Sequence, residues 1–77
     1  MNKIISILSE IRPEFDFTKS QDFISDGLLD SFDMISLVTE LDKEFSISID
    51  GIDIVPDNFT NLESIAALLA KKGIIVS

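Results

Sequence analysis

Ser31 sits between two carboxylates, Asp30 and Asp33, in the run DGLLDSFDMISLVTELDKEF that occupies residues 26–45. A serine hydroxyl at the start of an apolar periodic run has two uses. It can cap a helix, with Asp30 as the alternative cap and Ser31 in the first turn. It can also be a point of covalent attachment that another enzyme esterifies. Asp30 and Asp33 suit either use, because acids complement the positive end of a helix dipole. A metal reading starts from the neighbouring acids. DFISDGLLDSFD, from Asp22 to Asp33, places Asp22, Asp26, Gly27 and Asp30 at positions one, five, six and nine of an EF-hand calcium loop. That pattern lacks an oxygen ligand at Ile24 and the long bidentate Glu at its last position, where Asp33 stands, and Pro13 ends the preceding helix well upstream.

The chain has no Cys, His, Trp or Tyr. Without Cys there is no disulfide, thiolate metal site or thiol nucleophile. Without His the usual general base near neutral pH is missing. With 77 residues the chain forms one domain, residues 1–77, too small for a deep cleft. These features argue against an enzyme. The net charge is −8, and between Ser20 and Ala70 the only cation is Lys43. An acidic surface of this kind repels nucleic acid and attracts basic patches on proteins. No run is long enough to cross a bilayer, and MNKIISILSEIRPEF lacks a small-residue cleavage site, so we expect a cytoplasmic monomer.

Three segments carry helical periodicity. Ile4, Ile5, Leu8 and Ile11 form one face of a first helix that Asn2 caps and Pro13 stops. Residues 13–30 read as a long loop fastened by Phe15, Phe17, Phe23, Ile24, Leu28 and Leu29. Met34, Leu37, Val38, Leu41 and Phe45 give the second helix its core stripe, while Phe32 and Ile35 lie off it, beside Ser31, Thr39 and Asp42. The Ile-rich stretch around Asp50-Gly51 could form a hairpin, but no third strand is available, so we expect an irregular connection with one short helical turn before Phe59. Leu62, Ile65, Ala66, Leu68 and Leu69 define a last helix to about Lys72, capped by Thr60 or Asn61 and ended by Gly73. The expected fold is all-α: a small bundle of three main helices plus one short helix.

The block DGLLDSFDMISLVTELDKEF resembles the acyl carrier protein family, in which an Asp-Ser-Leu/Phe motif follows a Leu-rich loop and opens a helix with this apolar spacing. The resemblance runs along the whole chain and includes the Pro-acid stretch before the last helix, PDNFTNLESIAALL. It implies that Ser31 carries 4′-phosphopantetheine, installed from coenzyme A by a phosphopantetheinyl transferase. It further implies that the chain holds acyl or aminoacyl cargo as a thioester for loading and acceptor enzymes of fatty acid, polyketide or nonribosomal peptide biosynthesis. The positions implied for partner recognition are Asp30, Phe32, Asp33, Ile35, Thr39 and Asp42. Phe32 in place of the more frequent Leu is a feature shared with D-alanyl carriers and with free-standing carriers for amino acids or specialised metabolites. The alternative is an acidic helical interaction module without the arm. Met34, Leu37, Val38, Leu41, Ile54, Ile65 and Leu69 would flank a buried fatty chain, but as a group they read first as core.

Overall fold

In the computed structural model, which describes residues 2–76, the chain forms three α-helices: α1 (Asn2–Ile11), α2 (Ser31–Phe45) and α3 (Leu62–Lys71). Two ion pairs fix the relative direction of α1 and α2. Lys3 at the start of α1 meets Glu44 near the end of α2 at 3.0 Å. Arg12, just past α1, meets Asp33 in the first turn of α2 at 2.9 Å. The two helices therefore run antiparallel, and α1 also packs on α3. No strand forms among the described residues, and the connector at 46–61 is irregular, as expected. It holds two 3₁₀ turns, Gly51–Asp53 and Pro56–Asn58, where the sequence led us to expect one.

The inward faces merge into one core. Ile4, Ile7, Leu8, Leu37, Leu41, Phe59, Ile65, Leu68 and Leu69 belong to it, as do Met34, Val38 and Ile49. The radius of gyration of the chain's Cα atoms, 11.2 Å, matches the roughly 11.5 Å of a close-packed chain of this length. The face of α1 differs from the expected one by a single residue. Ile7 is buried and Ile5 is only half-buried, so the stripe is Ile4, Ile7, Leu8, Ile11, the i, i+3, i+4, i+7 set. With Ile4, Ile5, Ile7 and Leu8 all apolar, periodicity alone allowed two stripes whose centres lie about 40° apart, and contact with α2 chose between them. Asn2 also lies within α1 and does not cap it from outside.

The helix ends follow from side-chain chemistry. Asn61 caps α3 by accepting the Ser64 N–H at 2.9 Å. At the other end Gly73, at φ +82°, takes the left-handed turn that only a residue without Cβ adopts freely. Ile74 N–H then returns to the Leu69 carbonyl and Gly73 N–H to the Ala70 carbonyl, a Schellman closure. Helix α2 ends similarly, but with Ser46 in the left-handed conformation at φ 54°.

The long segment between α1 and α2 is anchored as expected from its phenylalanines. Phe17 and Phe23 are buried and meet edge-on, with ring centroids 5.1 Å apart. Phe17 lies in a 3₁₀ turn, Phe17–Lys19, that the residue pattern did not signal. Phe23 N–H donates to the Thr60 carbonyl at 2.7 Å, tying the loop to the approach of α3, and its own carbonyl accepts from Leu28 and Leu29. Leu29 is buried as well. The loop thus reaches the tip of α2 from a fixed position.

Candidate functional site

The site is built from the first turn of α2. Asp30, in extended conformation, is the N-cap, and its carboxylate accepts the Asp33 N–H at 2.8 Å. Asp33 returns the bond, its Oδ2 accepting the Asp30 N–H at 3.2 Å. This is a capping box in which Asp replaces the usual Glu or Gln. Ser31 is therefore not the cap. It is the first residue of α2, and it is exposed. Its neighbours Phe32 and Ile35 are 78% and 58% exposed, large apolar groups that the core does not need. Thr39, further along the same face, is exposed and donates its hydroxyl to the Ile35 carbonyl.

Two of the residues implied for partner recognition have internal duties. Asp33 is only 6% exposed. Besides its capping bond, its Oδ2 accepts from Arg12 Nε at 2.9 Å. The reason for its burial is rotational: at about 100° per residue Phe32 and Ile35 lie about 60° apart on one side of the helix, while Asp33 is about 100° from Phe32 and about 160° from Ile35 and so faces the end of α1. Asp42 is half-buried, and its Oδ1 accepts the Ile49 N–H at 3.0 Å, which locks the connector onto α2. Asp33 is thus withdrawn from the exposed face, and Asp42 is partly committed beneath it. Asp30, Phe32, Ile35 and Thr39 remain open beside Ser31.

Arg12 was not among the candidate residues, yet it organises the tip. Its guanidinium reaches Asp33 at 2.9 Å, Glu14 at 3.5 Å and Asp30 at 3.7 Å. The arginine and Asp33 are 21 positions apart, so no local pattern could have paired them. Ile52 and Val55, in the connector, are 86% and 40% exposed and were not foreseen as surface either.

The acids of the EF-hand-like stretch are occupied with their own turn. Asp22 accepts the N–H groups of Ser25 and Ile24, at 2.9 and 3.1 Å, and Asp26 accepts the Ser20 hydroxyl. No group of three or more His, Cys, Asp or Glu side chains among the described residues is arranged to hold a metal ion. Met34, Leu37, Val38, Leu41, Ile65 and Leu69 lie in the core, and Ile54 packs partly against it.

Hydrogen bonds hold three carboxylates below their usual range. Asp30 is lowered chiefly by the Asp33 N–H, with the Arg12 charge adding to it. Asp22 is lowered by Ser25 and Asp16 by the Thr18 hydroxyl and N–H. Each group's folded pKa lies below its unfolded value, so its stabilising effect is complete above the ordinary Asp pKa of about 3.9 and is lost as pH falls through the folded value. Urea unfolding should accordingly show a loss of stability below about pH 4 from these groups. Asp30→Asn, which keeps an acceptor but does not titrate, should show a shallower loss. An equal slope in wild type and variant would contradict the assignment.

No protein-family model matches the chain, nor does any curated protein or solved structure. Among the described residues no helix is long and apolar enough to cross a membrane.

Proposed function

We propose that this chain is a carrier protein of the acyl carrier type, bearing a 4′-phosphopantetheine arm on Ser31. The observation that carries the reading is the exposed serine at the first position of a helix whose cap is supplied by another residue. Asp30 does the capping, so the Ser31 hydroxyl is not needed for the fold. The tip also suits the group chemically. A phosphodiester attached there lies at the positive end of a 15-residue helix, where backbone N–H groups and the dipole favour an anion. The arm supplies a thiol that this chain, with no Cys, does not have.

Attachment needs no base from this protein. The Ser31 oxygen forms a bond to the pantetheine-side phosphorus of coenzyme A. The phosphoanhydride bond breaks, adenosine 3′,5′-bisphosphate leaves, and the hydroxyl proton passes to a base of the phosphopantetheinyl transferase. The carrier's own part is to display the hydroxyl and to be recognised. Phe32 and Ile35, exposed beside Asp30, support recognition by a partner surface that is apolar at its centre and basic at its rim. Weak, reversible contact suits a carrier that must leave each enzyme in turn. The cargo is an acyl or aminoacyl group, with D-alanine as one candidate.

The test is intact-mass analysis after incubation with coenzyme A and a phosphopantetheinyl transferase. Wild type should gain one arm and Ser31→Ala none. Alanine is well tolerated at this helical position, so the variant should remain folded. An unmodified wild type, or a Ser31→Ala chain that still gains the arm, defeats the proposal. In the first case the exposed Phe32 and Ile35 favour the second reading, an interaction module without an arm, whose partner binding Ser31→Ala would leave unchanged.

A further inference from the structure

We infer that Arg12 is a positioning residue for Ser31, acting through the fork shape of its guanidinium and not through its charge alone. The inference rests on the reading of Ser31 as the attachment point. One planar group reaches three carboxylates, two in the first turn of α2 and one just past the end of α1. Nε donates to Asp33 inside the first turn of α2, Nη2 lies 3.7 Å from the N-cap Asp30, and Nη1 lies 3.5 Å from Glu14 at the start of the long loop. Arg12 itself is fixed at the end of α1, its N–H donating to the Leu8 carbonyl at 2.9 Å. Ser31 lies between the two α2-side partners, Asp30 and Asp33, in sequence, and its side chain makes no hydrogen bond among the described residues.

The physical consequence concerns the first turn of α2. The capping box ties Asp30 to Asp33 but not to the rest of the protein, and first turns of helices fray. The Arg12 fork fastens that turn to α1. It also brings one cation to both carboxylates, which have no other cation paired to them among the described residues. A lysine there keeps the charge but meets carboxylates as a point and not as a fork. If the first turn is ordered only part of the time, the transferase sees a smaller competent fraction of carrier. Apparent KM then rises by the inverse of that fraction, while kcat, measured on the bound and ordered form, stays nearly constant.

The experiment measures loading kinetics of wild type, Arg12→Gln and Arg12→Lys with coenzyme A and a phosphopantetheinyl transferase, together with amide hydrogen exchange. For Arg12→Gln we expect KM for the carrier to rise about tenfold with kcat within about twofold of wild type. The Phe32, Asp33 and Met34 amides should exchange about tenfold faster, while those of Leu41 and Leu68 in the core keep their rates. Arg12→Lys should stay closer to Arg12→Gln than to wild type. Asp33→Asn, which retains an acceptor for the cap, approaches the same clamp from the other side and should raise KM in the same way. It provides a second measurement should Arg12→Gln fold poorly. Wild-type kinetics in Arg12→Lys would show that charge suffices and overturn the inference. So would an unchanged KM in both Arg12→Gln and Asp33→Asn, or a loss confined to kcat. A wild type that is not loaded at all overturns the serine assignment and takes this inference with it, whereas loaded wild type with unaffected variants overturns the clamp alone.

Discussion

Truncating Phe23 to alanine is expected to lower the unfolding free energy by about 3–5 kcal/mol. The side chain is fully buried and packs edge-on against Phe17. Its removal forfeits the transfer energy of the ring and leaves a space the neighbours fill only partly. A chain of this length has roughly 4–12 kcal/mol of stability in total, so the loss takes a large share of it. The effect should also spread along the chain. Phe23 is the point at which the long loop is hydrogen-bonded to Thr60 and to Leu28 and Leu29, directly before the tip of α2. Urea or thermal unfolding gives the magnitude, with each kcal/mol worth about 4–8 °C in Tm. Phe32→Ala is the matched control: at 78% exposure the same truncation should change stability by no more than about 0.5 kcal/mol. A similar loss in both variants would mean that the burial assignment of the two phenylalanines is wrong.

Asp33→Ala should cost about 2–3 kcal/mol, far more than a surface acid. Three favourable terms disappear together: the bond from Arg12 Nε, the bond from the Asp30 N–H, and the negative charge at the start of α2. The Arg12 side chain is about a third exposed, so water recovers part of the lost pairing and the cost stays below that of a fully buried broken pair. Asp33→Asn should cost about 1 kcal/mol, because an amide oxygen still closes the cap. A double-mutant cycle between Arg12 and Asp33 isolates the pair, with an expected coupling of about 1–2 kcal/mol. A loss below about 1 kcal/mol in Asp33→Ala would place the carboxylate in water rather than in the clamp.

These two expectations concern residues whose roles the sequence conveyed unequally. Phe23 announced itself, since an aromatic in a polar loop has little reason to be there unless the core receives it. Asp33 did not. Its spacing from Asp30 fits a capping box, but Asp is the short member of the acids that close one, and the resemblance placed it on a partner-facing surface. The decisive fact, a guanidinium arriving from the end of α1, exists only once two helices lie side by side.

What the chain's residues determined by themselves was governed by local rules. The periods of α2 and α3, the stop at Pro13, the Gly73 ending and a cap at Thr60 or Asn61, which the structure resolves as Asn61, depend on residues within about one helical turn of each other. The absence of His and Cys is likewise a property of composition, and so is the acidic charge. Tertiary structure decided the matters that require a neighbour distant in sequence. It selected Ile7 over Ile5 for the core, spent Asp42 on the connector and drew Asp33 inside, whereas the exposure of Phe32 and Ile35 next to Ser31 was already legible in the period of α2. Periodicity fixes which residues share a face of a helix, but only packing against the other helices says which face is covered and which stays available for a partner.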